Sequence, residues 1–391
     1  MNPIRVQTWP NRLILGAGSV ASLAEVAGEL GAHRVLVLCG RTVASGPILR
    51  RVRAALGDLC CGIFDQVAPH TPLPMVQSII GLIDRNHADA IVSVGGGSAI
   101  DAGKGAALLR KTAGRLDPYV IRYHPDGTME RDLIDGPTIT HIAIPTTAGS
   151  SSEVLPTAGI RDVDKRRKLL FWDDALVPSA AILDPELTIH TDAPLTAATG
   201  MTAVARAVES LYSVNRNPFS EGLALHALRL LYRNLPRAVE EPANVEVRYQ
   251  CQVACAMSGV AAINAMVSVV HALGHIVGGR YALQHGVSHA ILIAPAMRRF
   301  ISVMGERQKL VLQAMGASDI NIPIDRMAQM AADLMSALIA RLPLKSRLRD
   351  LAIPADDLPE IARQAEHDYM MANVPMPTTV ADIEMLVRAA W

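Results

Sequence analysis

The feature that most constrains the fold is a change of hydrophobic pattern part-way along the 391-residue chain. From Arg12 to about Pro178, short β-branched apolar runs alternate with segments of helical periodicity, which is typical of βαβ units on a mostly parallel sheet. Beyond Leu183 the strand-like runs stop, and long segments with apolar residues at helical spacing follow. The pattern predicts an α/β domain over residues 1–182 and an all-helical domain over residues 183–391.

Within the first domain, three apolar runs predict buried strands, and each is followed by a turn: Val35–Leu38, Ala90–Val94 and His141–Ile144. The segment Gly114–Gly136 is rich in glycine, proline and charge, and it predicts an excursion at the surface.

The charges of the chain balance, with 37 Lys and Arg against 37 Asp and Glu. This balance argues against a protein that holds nucleic acid or an anionic membrane, because both tasks need a clustered basic surface. Half of the residues are apolar and 19% are charged, which is a globular composition and not a disordered one. We expect a small-molecule substrate, and no nucleic acid or membrane partner.

Cysteine usage favours a reducing, cytoplasmic setting. The five cysteines are odd in number and lack the density of a disulfide framework, and no signal-peptide pattern is visible at the start of the sequence. The stretch Cys251–Val270 is apolar, but Gln252, Ser258, Asn264 and Ser268 interrupt it. It predicts a buried core helix and not a membrane span.

The sharpest motif is a run of three glycines, Gly95, Gly96 and Gly97, directly after a predicted strand and before a predicted helix. Glycines let the backbone approach a ligand closely, and the N–H groups at a helix start attract a phosphate. Ser98 is a candidate N-cap of that helix. The alternative is an ordinary tight turn, but the run favours a pyrophosphate cradle. It is not the G-x-G-x-x-G fingerprint of the common dinucleotide fold.

A hydroxyl-rich segment, Pro145–Glu153, follows the third predicted strand. Its five serine and threonine side chains could line a cofactor or cap a helix.

Four of the twelve histidines form a dense group: His271, His275, His285 and His289. The first two are four residues apart on one predicted helical face, and the pair of glycines at 278 and 279 predicts a break after them. Such spacing suits either a metal site or a proton-transfer site.

These motifs, in this order, resemble the iron-containing (group III) alcohol dehydrogenase family, whose architecture is shared with glycerol dehydrogenase and dehydroquinate synthase. The likeness runs over nearly the whole chain, through the segments 15–19, 95–104, 145–153, 184–188, 199–201 and 271–295. The resemblance implies a dinucleotide-binding N-terminal domain, a helical C-terminal domain, and a cleft between them where a nicotinamide cofactor meets an alcohol or carbonyl compound.

One departure from the family pattern concerns the metal. In metal-dependent members, the segment after a Gly-Met pair supplies an aspartate and, four residues later, a histidine; here these positions are Thr202 and Arg206. His271 and His285 match the two later ligands, and His275 matches the histidine near the nicotinamide. Two imidazoles with a guanidinium cannot hold a divalent ion tightly, because arginine only donates hydrogen bonds and repels the cation. We therefore expect no catalytic metal.

Without a metal, other groups must stabilise the charge that develops on the substrate oxygen. Arg206 is the leading candidate, and its planar fork would also bind a substrate carboxylate. The alternative is an ion pair between Arg206 and Glu209 on a solvated helical face. The candidate proton donors are His271, His275 and His285, with Tyr212 a lesser candidate.

The predicted cofactor is NADP or NAD. NAD-preferring relatives carry an acidic residue at the position of Gly40, so its absence permits a 2′-phosphate, with which Arg41 could pair. The predicted cofactor-binding residues are Gly40, Arg41, Gly95, Gly96, Gly97, Ser98, Asp101, Thr146, Thr147, Ser150 and Lys168.

The predicted function is metal-independent reduction of a small carboxylated ketone or aldehyde, because the chain is similar to the metal-free maleylacetate reductases, which share a histidine-rich turn such as Gln284–Ala290. It departs from them in its glycine loop, so maleylacetate is only one candidate substrate. Two alternatives stay open: a metal enzyme with a ligand set of His271, His275 and His285, and a nucleotide-binding protein without redox activity. A homodimer is expected, since related proteins often form one.

Overall fold

In the computed structural model, the described residues are 6, 11–124, 128–165, 167–281, 283–318 and 320–391. They form two compact units. One unit spans Thr8–Arg122 and Met129–His190; the other spans Thr191–Trp391 with the described residues of Tyr123–Thr128. The units change at residues 190 and 191, and the boundary at residues 182 and 183 stays a prediction.

The strands of the described chain all lie before residue 184. They are β1 (Arg12–Leu15), β2 (Val35–Cys39), β3 (Cys60–Phe64), β4 (Ala90–Gly95), β5 (Arg122–Tyr123), β6 (Met129–Glu130), β7 (Thr140–Pro145), β8 (Thr157–Asp162), β9 (Arg167–Trp172) and β10 (Ala180–Leu183). Six of them form a parallel sheet in the order β1-β10-β7-β4-β2-β3. The three predicted strands are confirmed as β2, β4 and β7, and the α/β prediction for this part of the chain is confirmed.

The helices of the first unit cover both faces of this sheet. They are α1 (Leu23–Glu29), α2 (Arg41–Ser45), α3 (Pro47–Leu56), α4 (Leu73–Arg85) and α5 (Gly97–Lys111). Alternate residues of a strand point to opposite faces. Val35 and Val37 accordingly belong to one apolar core, whereas Leu36 and Leu38 belong to the other.

The strand order reverses between β2 and β4. The chain passes from β2 outward to β3, returns to β4 on the other side of β2, and then continues through β7 to β10. In open parallel sheets, ligands bind beyond the carboxyl ends of the strands at such a reversal. The register pairs Cys39 with Val94, and Gly95 with Pro145. It therefore brings the residues that follow β2, β4 and β7 to the same edge.

The second unit is helical, as the hydrophobic periodicity predicts. Its helices are α6 (Ala193–Tyr212), α7 (Pro218–Glu240), α8 (Val245–Ala265), α9 (Val269–Tyr281), α10 (His285–Phe300), α11 (Gln308–Ala314), α12 (Ile324–Ala340), α13 (Leu358–Glu366) and α14 (Val380–Ala390). Helices α6, α7 and α8 pack on one another, and α10 packs on α6, α9 and α12.

The prediction of one core helix over Cys251–Val270 is wrong, because the stretch contains the end of α8 and the start of α9, which are bent by 107°. The cause is local. Met266, the C-cap of α8, has a φ of 61°, a left-handed conformation that ends the helix. The stretch is nevertheless largely buried.

One helical stretch of the described chain, His285–Ala314, is long and apolar enough to cross a membrane by length and composition alone. Core helices of soluble proteins pass the same test, and 67% of its most apolar window is buried within the protein.

Candidate active site

The glycine loop lies at the edge where the strand order reverses. Gly95 has a φ of 149°, which favours glycine, and Gly96 is the N-cap of α5. Because Gly96 has no side chain, no side-chain hydrogen bond caps the first N–H groups of this 15-residue helix. Those groups are oriented to bind an anion such as a phosphate. The prediction that Ser98 is the N-cap is wrong. Ser98 lies in the first turn of α5, where its Oγ accepts from the His70 N–H at 3.2 Å.

The hydroxyl-rich segment packs directly on the glycine loop. The Thr146 N–H donates to the Gly95 carbonyl at 3.0 Å. A Cβ placed on Gly97 would lie 2.8 Å from the Ser150 Cβ, and one on Gly96 would lie 3.4 Å from the Thr147 Oγ1. The two loops therefore meet so closely that only glycine fits at residue 97.

Asp101 and Lys168 meet at Gly159, on β8. The Asp101 carboxylate accepts from the Ser152 hydroxyl at 2.6 Å and from the Gly159 N–H at 3.1 Å. The exposed Lys168, on the neighbouring strand β9, lies against Gly159 as well. Asp101 thus ties the hydroxyl-rich segment to the sheet formed by β8 and β9.

Gly40 and Arg41 follow β2 at the same edge of the sheet. Gly40 is half-buried and is the N-cap of α2, and a Cβ there would lie 3.3 Å from the Val67 carbonyl oxygen. Arg41 is exposed in the first turn of α2.

The four clustered histidines form a second group of polar side chains, on α9 and α10. The ring centroids of His271 and His289 are 4.2 Å apart, those of His285 and His289 are 6.0 Å apart, and those of His275 and His285 are 6.0 Å apart. We call these four residues the histidine cluster. The predicted break at residues 278 and 279 is wrong, because α9 continues to Tyr281.

Glu209, on α6, holds the start of α9. It is fully buried, and one carboxylate oxygen contacts Nδ1 of His271. The other oxygen accepts from the Val270 N–H at 2.8 Å and from the hydroxyls of Ser268 and Tyr212 at 3.1 and 3.3 Å. The alternative that Glu209 lies on a solvated helical face is therefore wrong. Its buried carboxylate stabilises the start of a helix and orients a histidine.

Arg206 is half-buried on α6, and its charge acts on the cluster. Burial lowers the pKa of His271, against the opposing effect of Glu209, and the nearby Arg206 charge lowers it further. The pKa of His289 lies well below its ordinary value because of burial and the neighbouring positive groups, which include Arg206. The Arg206 charge therefore disfavours the protonated form of both rings. Thr202, one turn earlier, donates to the Ala198 carbonyl at 3.5 Å.

His289 is a functional candidate that the sequence-based choice of site residues missed. It is buried, and within the described part of the chain neither of its ring nitrogens has a hydrogen-bond partner; Nε2 of His271 lacks one there too. Backbone packing fixes the ring, since a Cβ on Gly274 would lie 2.6 Å from its Nε2. His289 is four residues after His285, so the two lie on the same face of a helix, and this spacing could have identified His289 as a site residue from the sequence.

His275 has a carboxylate partner from a distant segment. Its Nδ1 lies 2.9 Å from Oδ2 of Asp368, a residue 93 positions later in the chain. The ring of the adjacent Tyr369 lies 6.1 Å from His275 and stacks on Tyr123, with ring centroids 3.4 Å apart. Tyr123 belongs to the predicted surface excursion, of which residues 125–127 lie outside the described residues. Nothing in the sequence around Asp368 indicates this pairing.

Comparisons with known proteins identify the family. Residues 10–185 match the family model described as iron-containing alcohol dehydrogenase, and residues 196–391 match the model of its C-terminal part. The chain belongs to the iron-containing alcohol dehydrogenase family. As a member, it is an oxidoreductase that acts on CH–OH and C=O groups.

Three similar proteins illustrate the range of the family. The chain is 30% identical to a 1,3-propanediol dehydrogenase of Citrobacter freundii, over 98% of this chain and 97% of that protein. It is 27% identical to an NAD-dependent methanol dehydrogenase of Bacillus methanolicus, over 97% of this chain and 98% of that protein. The solved maleylacetate reductase of Agrobacterium tumefaciens is 27% identical, with a TM-score of 0.81 over 100% of this chain and 99% of that one.

The family name implies iron, and the side chains of this member fit that ion poorly. Within the described parts of the chain, no group of three or more His, Cys, Asp or Glu side chains is arranged to hold a metal ion. The Arg206 charge, which lowers the pKa of His271 and His289, would also repel a cation bound at their rings. The donor chemistry here does not match the metal site that the family name implies.

Proposed function

We propose that this member of the iron-containing alcohol dehydrogenase family is a metal-independent NAD(P)H-dependent reductase of a small carboxylated ketone or aldehyde. The proposal is supported by two buried histidines of the described chain with unpartnered ring nitrogens, and by the Arg206 charge, which lowers the pKa of both. Fixed positive charge therefore acts on the same two buried rings that carry the unpartnered nitrogens.

Fixed positive charge is what reduction of a carbonyl requires. The carbonyl oxygen gains negative charge in the transition state, and one preorganised donor at that oxygen contributes about 3–4 kcal/mol. Arg206 retains its charge at any working pH. Because the side chain is half-buried, we expect it to reorient little during the reaction. In this proposal the guanidinium performs the electrostatic task that a Lewis-acidic metal performs in other enzymes.

The unpartnered ring nitrogens support a polar substrate. A buried polar atom without a hydrogen-bond partner costs about 1–3 kcal/mol, so such atoms are rare unless a ligand satisfies them. Nε2 of His271 and both ring nitrogens of His289 are such atoms. Together with the planar fork of Arg206, they suit a substrate that carries a carboxylate next to its carbonyl group.

The glycine loop supports a nicotinamide cofactor. The uncapped start of α5 and the close packing of Gly97 on Ser150 form a cradle for a pyrophosphate. When bound, the reduced cofactor supplies the hydride. The similarity to an NAD-dependent methanol dehydrogenase supports NAD, whereas Gly40 and Arg41 at the edge of the sheet favour tolerance of NADP.

The test is a panel of paired carbonyl compounds in the presence of a chelator. Each pair has the same carbon skeleton with and without a carboxylate, and NADH and NADPH oxidation is followed separately. We expect turnover with the carboxylated members, and kcat/KM at least about tenfold lower without the carboxylate, because a charge-assisted hydrogen bond is lost. Loss of all activity with chelator, restored by Fe²⁺ or Zn²⁺, would favour a metal enzyme. Nucleotide binding without reduction of any compound would favour the non-redox alternative.

A further inference from the structure

A buried carboxylate outside the motifs singled out in the sequence analysis contacts one member of the histidine cluster. Asp368 begins the short 3₁₀ segment Tyr369–Asn373, and its side chain is only 9% exposed. Its Oδ1 accepts from the Met370 N–H at 2.9 Å, and its Oδ2 lies 2.9 Å from Nδ1 of His275. Both oxygens therefore have partners, one in the backbone and one in the cluster.

Capping of the 3₁₀ segment explains only the first of these contacts. A cap needs one acceptor oxygen, which a serine supplies as well as an aspartate. Another capping aspartate of the described chain directs its second oxygen to the backbone: Oδ2 of Asp173 accepts from the Ile134 N–H at 2.8 Å. Asp368 instead directs it to a histidine.

The contact determines which ring nitrogen of His275 is available. A carboxylate only accepts hydrogen bonds, so the hydrogen of the neutral ring lies on Nδ1 and Nε2 is left with its lone pair. His275 is also intermediate in exposure: its side chain is 30% exposed, whereas His271 and His289 are buried. It can therefore exchange protons with water while its ring stays within the cluster.

We propose that Asp368 is the positioning residue of the proton donor: it fixes the tautomer and orientation of His275, whose Nε2 passes a proton to the substrate oxygen. The proposal rests on the function proposed above. The reduced nicotinamide, when bound, would supply the hydride for the new C–H bond, and the electron pair of the C=O bond would move to oxygen. The Nε2–H bond of protonated His275 breaks, the O–H bond forms, and the neutral ring takes its next proton from water. Asp368 stabilises the positive ring before the transfer.

The kinetic test separates positioning from capping. Asp368→Ser keeps an oxygen for the Met370 N–H but removes the carboxylate, and Asp368→Glu keeps the charge. We expect Asp368→Ser to retain its melting temperature, to lose at least about 30-fold in kcat with little change in KM, and to show a larger solvent deuterium isotope effect. Loss of the orienting aspartate in a serine protease triad costs more, about 10⁴-fold. We expect Asp368→Glu to recover part of the loss.

A capping aspartate of another helix gives the matched control. Asp382 is the third residue of α14; it accepts from the N–H of the N-cap Thr379 at 2.9 Å in a capping box, and it also contacts Arg299. Asp382→Ser is expected to leave kcat and the isotope effect unchanged. If Asp368→Ser and Asp382→Ser behave alike, or if kcat and KM of Asp368→Ser change in parallel, Asp368 is only a cap and the proposal is wrong.

A second measurement does not depend on activity. In protein labelled with ¹⁵N-histidine, the His275 signals are identified by their absence in His275→Gln. We expect a protonated Nδ1 in the wild type at neutral pH, and a shift toward the other tautomer in Asp368→Ser. An unprotonated Nδ1 in the wild type would overturn the proposal even in an active enzyme. A confirmed tautomer in a protein that reduces no carbonyl compound would instead mean that the proposed function had failed.

Discussion

The two polar sites of this protein, the glycine loop and the histidine cluster, are formed by different chemical groups. At the glycine loop, the groups that we propose to bind the cofactor are backbone N–H groups, and their geometry comes from glycines that are neighbours in the sequence. In the histidine cluster, the groups are side chains, and carboxylates 62 and 93 positions away hold two of them. A site made of backbone is sensitive to added volume, whereas a site made of side chains is sensitive to lost charge. The following predictions test that difference.

The largest effect is expected when the positive charge that acts on the histidine cluster is removed. Arg206→Ala deletes the only side-chain cation that we assign to charge stabilisation, so kcat with a carboxylated substrate should fall at least about 100-fold. Steady-state kinetics over the paired carbonyl panel measures it. Arg206→Lys, which keeps the charge without the planar fork, should recover part of kcat but little of the preference for carboxylates.

A surface arginine serves as the control for this change. Arg237 forms an exposed pair with Glu241 on α7, and Arg237→Ala should leave kcat unchanged. If Arg206→Ala retains full turnover, the guanidinium has no catalytic task.

The next effect concerns His141, a buried histidine of the first unit whose ring, unlike that of His289, has a hydrogen-bond partner. His141 contacts the Ser93 hydroxyl at 2.9 Å, and burial, aided by the Lys104 charge, lowers its pKa to about 3. The unfolded chain therefore binds a proton below about pH 6.5 that the folded chain does not. This contribution to stability is complete above pH 6.5 and is lost as the pH falls, by about 2 kcal/mol at pH 5. Urea unfolding at pH 8, 6.5 and 5 measures it.

The variant His141→Gln removes the titrating group, so the free energy of unfolding should depend less on pH than in the wild type. The same pH dependence in both proteins would mean that folding does not lower the pKa of His141.

A smaller effect is expected from volume added to the glycine loop. Gly97→Ala forces the Ser150 segment to move, because the new Cβ would lie 2.8 Å from the Ser150 Cβ. Nucleotide affinity measured by titration should fall about tenfold, which corresponds to about 1.4 kcal/mol. The matched control is Gly28→Ala in α1, where nothing lies within 4 Å of the new Cβ. It should stabilise the fold by up to about 1 kcal/mol without changing nucleotide affinity. Equal affinities in the two variants would refute the cradle.

The smallest effect is expected at Arg41. Its side chain is exposed, so its pairing with a 2′-phosphate is weakened by water and salt. Arg41→Ala should weaken NADPH binding about twofold to fivefold and leave NADH binding unchanged. Equal changes for the two nucleotides would show that Arg41 does not contact the 2′-phosphate.

The parts of the fold that follow from local pattern could be predicted from the sequence. The buried strands β2, β4 and β7 are uninterrupted apolar runs, and the glycine run directly precedes α5. The edge strands β1 and β3 are not fully buried along their lengths, so their runs are less distinct. The break predicted at residues 278 and 279 is wrong because glycine only lowers helix propensity, and the packing of α9 on α10 outweighs that cost.

The histidine cluster shows where sequence reasoning stops. The i, i+4 spacing brings His271 and His275 together, but it cannot reveal that Glu209 holds one and Asp368 the other, because tertiary packing creates both pairs. The same holds for His289, whose importance depends on both ring nitrogens being buried without partners. Residue type and spacing predict which side chains share a helical face, whereas the tertiary fold determines which of them have hydrogen-bond partners.

The central claim is that the Arg206 guanidinium takes the place of a catalytic metal ion, and metal content measured together with turnover tests it most directly. The purified enzyme is dialysed against chelator, its iron and zinc are quantified by mass spectrometry, and kcat is measured on the same sample. We expect far less than one metal ion per chain and an unchanged kcat. One tightly bound iron or zinc ion per active chain, with kcat lost on its removal and restored on its return, would contradict it.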